Sequence, residues 1–158
     1  MVPVKVATKP FIKTYLSYRM PGMVIDRSTI YGSFLMELLQ KDLDHHGSEK
    51  IIYSDEVTLF SSHDCLKRNG GWVNFSQARY FNAFVLNSIK SQLRIYIQCH
   101  LYYDKRLHKA VDFALEQLHL TDLYNPETVI KDFQRWREEQ PSVDLRIYKQ
   151  KSAIVCHH

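Results

Sequence analysis

Glycine is scarce in this 158-residue chain, limited to Gly22, Gly32, Gly47, Gly70 and Gly71. Their spacing builds neither the Gly-x-x-x-x-Gly-Lys loop that cradles phosphates nor the Gly-x-Gly-x-x-Gly turn that seats a dinucleotide. A Gly-x-Ser-x-Gly elbow and a His-Glu-x-x-His helix are missing as well, which argues against the common hydrolase and metalloprotease designs. Cysteine is equally sparse. Cys65, Cys99 and Cys156 are odd in number and widely spaced, so they suggest a reducing compartment rather than a zinc knuckle or a disulfide framework. No run approaches eighteen apolar residues, so no membrane span is expected. The first residues lack the apolar core of a signal peptide. Together these absences lead us to expect a cytoplasmic, non-enzymatic protein that uses no cofactor and no metal.

What is present is a globular composition, 45% hydrophobic and 24% charged, in a chain long enough to bury a core without staples. We expect a single domain over residues 1–158, with an N-terminal element at 1–47 and a helical core at 74–140. Ten Tyr, eight Phe and two Trp exceed what such a core needs and suit contact surfaces too. The net charge of +4 is unevenly spread. Residues 104–158 hold nine cations and nine anions, whereas Lys5, Lys9, Lys13, Arg19 and Arg27 near the start face only Asp26. The basic excess is therefore N-terminal.

Periodicity divides the chain. Val2, Val4 and Val6 alternate with Pro3, Lys5 and Ala7, as in a strand. Thr8 can cap a helix over 9–20 that turns Ile12, Tyr15 and Leu16 inward, and Pro21-Gly22 stops it. Asp26 or Ser28 caps a second helix over 29–44, with Ile30, Phe34, Leu35, Leu38, Leu39 and Leu43 at helical spacing and Gly32 allowing close packing on the first. Residues 51–60 read as a strand, 63–68 as one helical turn, and Asn69-Gly70-Gly71 as a break. A long helix over 77–103, capped by Asn74 or Ser76, carries the apolar face Phe81, Val85, Ile89, Leu93 and Ile97. Helices over 105–118 and 126–139 follow, joined at Thr121-Asp122-Leu123-Tyr124, with Asn125 as cap and Pro126 at the first position. Alternation returns over 143–155. The expected class is α+β, helix-dominated, with about five helices and a small antiparallel sheet.

Two stretches offer chemistry. In the hairpin over 104–140, Val129, Ile130, Phe133 and Trp136 form an inner face, leaving Thr128, Lys131, Gln134, Arg135 and Arg137 outward. Glutamine suits adenine and arginine suits guanine in a major groove. Glu127, Asp132, Glu138 and Glu139 on the same helix oppose a phosphate backbone. This stretch resembles the compact helix-turn-helix proteins of phages and mobile elements. That resemblance implies a regulatory protein binding double-stranded DNA, in the host cytoplasm if phage-encoded, through Lys131, Gln134, Arg135 and Arg137.

The strand-helix-helix order of the first 44 residues also resembles ribbon-helix-helix repressors. It implies strand pairing between two copies, with Lys5 and Ala7, or Lys5 and Thr8, outward on the ribbon and Lys5 as its base or phosphate donor. The N-terminal basic excess adds Lys9, Lys13 and Arg19 to Lys5 as expected nucleic-acid contacts. The long helix and the tyrosines favour a homodimer. A protein partner is the alternative: an assembly component such as a virion protein, or an inhibitor of a host protein. Among the other candidates, His45-His46 and Cys156-His157-His158 lack ligand spacing. His100 reads as a packed ring and Cys65, near His63, as a partly buried thiol.

Overall fold

The computed structural model describes residues 1–41 and 53–140. The strand expected over 143–155, the His45-His46 turn and the Cys156-His157-His158 end lie outside the described residues.

The period of two at the start folds as expected. In β1, Val2–Thr8, the side chains of Val4, Val6 and Thr8 are buried and Pro3 and Lys5 face outward. β1 pairs antiparallel with β2, Asp55–Ser61, from Val2 opposite Ser61 to Thr8 opposite Asp55. Val57 and Leu59 bury the matching face of β2. This two-stranded ribbon has one apolar face, and helices must cover it. The ribbon-helix-helix resemblance implied pairing with a second copy's strand. Here the partner of β1 is β2 of the same chain.

α1, Pro10–Arg19, starts on Pro10 with Lys9 at the cap and no side-chain cap bond. Thr8 does not cap it. Its hydroxyl is fully buried and donates to Asn82 Oδ1 at 2.8 Å, while Asn82 Nδ2 donates to the Ala7 carbonyl at 2.8 Å. A hydroxyl turned into the core takes the partner available there.

α2, Ile30–Leu38, is capped by Thr29, whose hydroxyl accepts from Gly32 N–H at 3.0 Å, rather than by Asp26 or Ser28. The inward residues are Tyr31, Leu35 and Leu39, and Ile30 is 61% exposed, against the expectation. Tyr31 can be buried because its hydroxyl meets that of Tyr15 at 2.7 Å. Gly32 does allow a close approach, but to the Asp26 backbone rather than to α1. α2 also stops earlier than expected. Leu39 is extended, and Gln40 exchanges two backbone hydrogen bonds with Trp72, at 2.9 and 3.2 Å. Gly70 permits this crossing: at φ +95° it lies so near Gln40 that a Cβ would overlap the Gln40 carbonyl. The expected single turn near His63 is a full helix, α3, His63–Asn69. It raises the helix count from five to six among the described residues.

The spine is α4, Phe75–Tyr103, 29 residues and about 43 Å long at 1.5 Å per residue. It opens with a reciprocal capping box between Asn74 and Gln77. Phe81, Val85, Ile89, Leu93 and Ile97 are buried along it, and β1, α1, α2 and α5 pack on it. α5, Leu107–Gln117, buries Ala110, Val111, Ala114 and Leu115. α6, Pro126–Glu139, has Asn125 as cap and Pro126 at its first turn, as expected. The fold is α+β with helices dominant and one small antiparallel sheet. Among the described residues, no helix is long and apolar enough to cross a membrane.

Candidate nucleic-acid interface

The outer surface of α6 is set by what its inner face holds. Val129, Ile130 and Phe133 are buried and Trp136 is half-buried beside them. This stripe fixes the helix's rotation. Lys131, Gln134, Arg135 and Arg137 are all exposed, as are Thr128, Glu127, Glu138 and Glu139.

Asp132 does not join them. Its carboxylate turns toward α4, where Lys90 Nζ lies at 2.7 Å and Arg94 Nη2 at 2.9 Å. Arg94 also lies over the Trp136 ring at 5.4 Å. Partial burial alone would raise the Asp132 carboxyl. Hydrogen bonds from Lys90 and Arg94 outweigh it and hold the group below its ordinary 3.8. The acid expected to repel a phosphate backbone instead clamps α6 to the spine.

The approach to α6 differs from the compact helix-turn-helix. α5 ends in two reverse bonds, His119 N–H to the Glu116 carbonyl at 3.0 Å and Leu120 N–H to the Leu115 carbonyl at 2.9 Å. This closure needs a left-handed residue, usually glycine. Here His119 takes it, at φ +57°, with its ring stacked on Tyr18 of α1 at 3.8 Å. The connection then runs through 118–125, longer than the roughly three- to four-residue turn of the compact motif. Leu118 and Leu120 are buried, and Tyr124 meets Phe11 of α1 edge-on at 5.0 Å.

These ring contacts put α1 beside the α5–α6 connection, so the two cation sets lie on adjoining elements. Their electrostatics differ. In the N-terminal set, Lys5 pairs with Glu56 at 3.0 Å and Lys13 with Asp55 at 3.1 Å, both acids on β2. Arg19 donates to Gln92 at 2.8 Å and Lys9 lies over the Phe11 ring at 5.9 Å. The basic excess of the first thirty residues is thus partly offset by a strand far away in sequence.

Sequence reasoning missed Lys90 and Arg94. The signal was there: two cations four residues apart beside a buried stripe repel each other unless an acid is shared between them. It also passed over the corner after α4. Tyr102 and Tyr103 are 84% and 88% exposed, and Asp104 holds Arg106 through a fork at 2.9 and 2.6 Å. Hydrogen bonds from Arg106 bring the Asp104 carboxyl down to about 2. His100 packs on Phe113, ring centres 5.0 Å apart, and the Cys65 thiol is buried. No family model, no curated protein and no solved structure matches the chain.

Proposed function

We propose that this is a non-enzymatic DNA-binding protein, regulatory in role, that meets double-stranded DNA with the outer face of α6. The observation that carries the reading is the inward turn of Asp132. It removes the central acid from that face and leaves Lys131, Gln134, Arg135 and Arg137 exposed on a braced helix. Arginine and glutamine can read base edges, and Lys131 can neutralise phosphate. The N-terminal cations are secondary contacts, because Lys5 and Lys13 are engaged by Glu56 and Asp55. A mobility shift on a mixed-sequence duplex pool at low salt tests this. Retardation is expected, weakened by Arg135→Ala and Lys131→Ala and little changed by Lys5→Ala. Loss on Lys5→Ala with α6 variants unaffected would move the contact to the ribbon.

A second reading, an assembly or host-interaction protein, is favoured by a different observation. Large apolar side chains stand exposed, among them Trp72 at 50%, Tyr80 at 67% and Tyr102 at 84%. A stoichiometric protein complex that survives high salt, with no duplex retarded, would select it.

A further inference from the structure

A cleft opens where the chain leaves β2. One wall is the segment 24–28, held to that strand by the Ile25 N–H, which donates to the Phe60 carbonyl at 2.8 Å. The other is α3, which starts directly after β2, and α2 contributes Met36. The main chamber has a volume of about 410 Å³. It shares Arg27, Met36 and Asn69 with a side chamber of about 210 Å³. Small-molecule sites run from roughly 300 to 1,000 Å³.

Two guanidiniums line the main chamber from different walls, Arg27 and Arg68. Among the described residues neither is ion-paired, whereas Lys5, Lys13, Lys90, Arg94 and Arg106 each hold an acid. Arg68 Nε donates to the Asp64 carbonyl at 3.3 Å, which steadies the side chain and leaves its two Nη groups to donate elsewhere. Like charges brought to one cavity repel unless an anion lies between them. The guanidinium fork matches phosphate oxygens in pairs.

Two carboxylates are also present, Asp26 in the main chamber and Glu37 in the side one. One Asp26 oxygen already accepts from the Ser28 N–H and hydroxyl. An ionised carboxylate can only accept hydrogen bonds, so these two suit hydroxyl groups and oppose a second phosphate. Ile25 and Met36 add an apolar part.

We propose that this cleft binds the phosphomonoester of a small hydroxylated molecule, a pentose phosphate or a mononucleotide. Arg27 and Arg68 hold the phosphate, and Asp26 and Glu37 accept from hydroxyls. The fold brings the two arginines together before the ligand arrives, which lowers the cost of ordering them. No α6 residue lines the cleft, and the inference does not rest on the DNA reading.

Isothermal titration of the full chain with ribose 5-phosphate and with adenosine 5′-monophosphate tests the site. At least one should bind with a Kd on the order of 10 μM to 1 mM, and the tighter of the two identifies the body of the ligand. Arg27→Gln and Arg68→Gln, both at exposed positions, should each weaken that binding about tenfold or more with an unchanged circular dichroism spectrum. Lys131→Ala should leave it unchanged. Ribose and inorganic phosphate should each bind about tenfold more weakly than the ester, or worse. Failure of both esters to bind at about 10 mM would overturn the site. Affinity that ignores both arginine variants, or falls with Lys131→Ala, would overturn its location. Ribose binding as tightly as the ester would overturn the phosphate contact, and inorganic phosphate doing so would overturn the hydroxyl contacts of Asp26 and Glu37.

Discussion

Asp132 on α6 and Arg94 on α4 are joined at 2.9 Å, with Lys90 completing the clamp at 2.7 Å. The carboxylate stands 24% exposed between two cations that are 32% and 26% exposed. It is shielded enough that removing it strands two positive charges against the helix pair.

Asp132→Ala should cost about 1–2 kcal/mol, between the values for exposed and for buried pairs. Urea denaturation at pH 7 measures it. Because the folded carboxyl titrates below its ordinary 3.8, its contribution is present above that value and lost as the pH falls through the folded one. The gap between wild type and Asp132→Asn should therefore be constant above about pH 5 and close below pH 4. A gap independent of pH would show that the clamp holds no linked proton.

The Tyr15 hydroxyl gives the opposite dependence at high pH. Burial, then its bond to Tyr31, pushes its ionisation well above the ordinary 10.0. The folded state keeps this proton longer than the unfolded one, so stability is full below pH 10 and falls as the pH rises past it. Tyr15→Phe removes that slope. At neutral pH it should cost about 1–2 kcal/mol, because the Tyr31 hydroxyl and the Gln92 amide lose their shared partner. Thermal melts at pH 7 and pH 10.5 separate the two effects.

His119 holds the left-handed position that closes α5. His119→Gly relieves the backbone but loses the stack on Tyr18, so stability should change by less than about 0.5 kcal/mol. His119→Val keeps the strain, adds a branch at Cβ and loses the stack. It should cost about 1–2 kcal/mol. Equal losses for the two variants would mean that the ring contact, not the backbone, sets the energy.

Much of this fold can be read from local patterns. The β1 alternation, the Asn74 and Asn125 caps, the Pro126 start and the apolar stripes of α4 and α6 are decided by neighbours within a few residues. What could not be read depends on distant partners. Thr8 was set by Asn82, the burial of Tyr31 by Tyr15, and the early end of α2 by Trp72. The same division holds for the candidate interface. The exposed positions of α6 follow from its period, but the inward turn of Asp132 needed Lys90 and Arg94 from another helix. Likewise, the N-terminal basic excess looked free only because Asp55 and Glu56 lie far away in sequence.

The salt dependence of duplex affinity tests the DNA-binding proposal most directly. Plotted against the logarithm of salt, the logarithm of the association constant falls by about 0.9 for each phosphate neutralised. If α6 carries the contact, a Lys131→Ala, Arg135→Ala double variant should bind more weakly, with a slope shallower by up to about 1.8. An undiminished slope in that variant, or no duplex binding by the wild type at low salt, would contradict DNA recognition by α6.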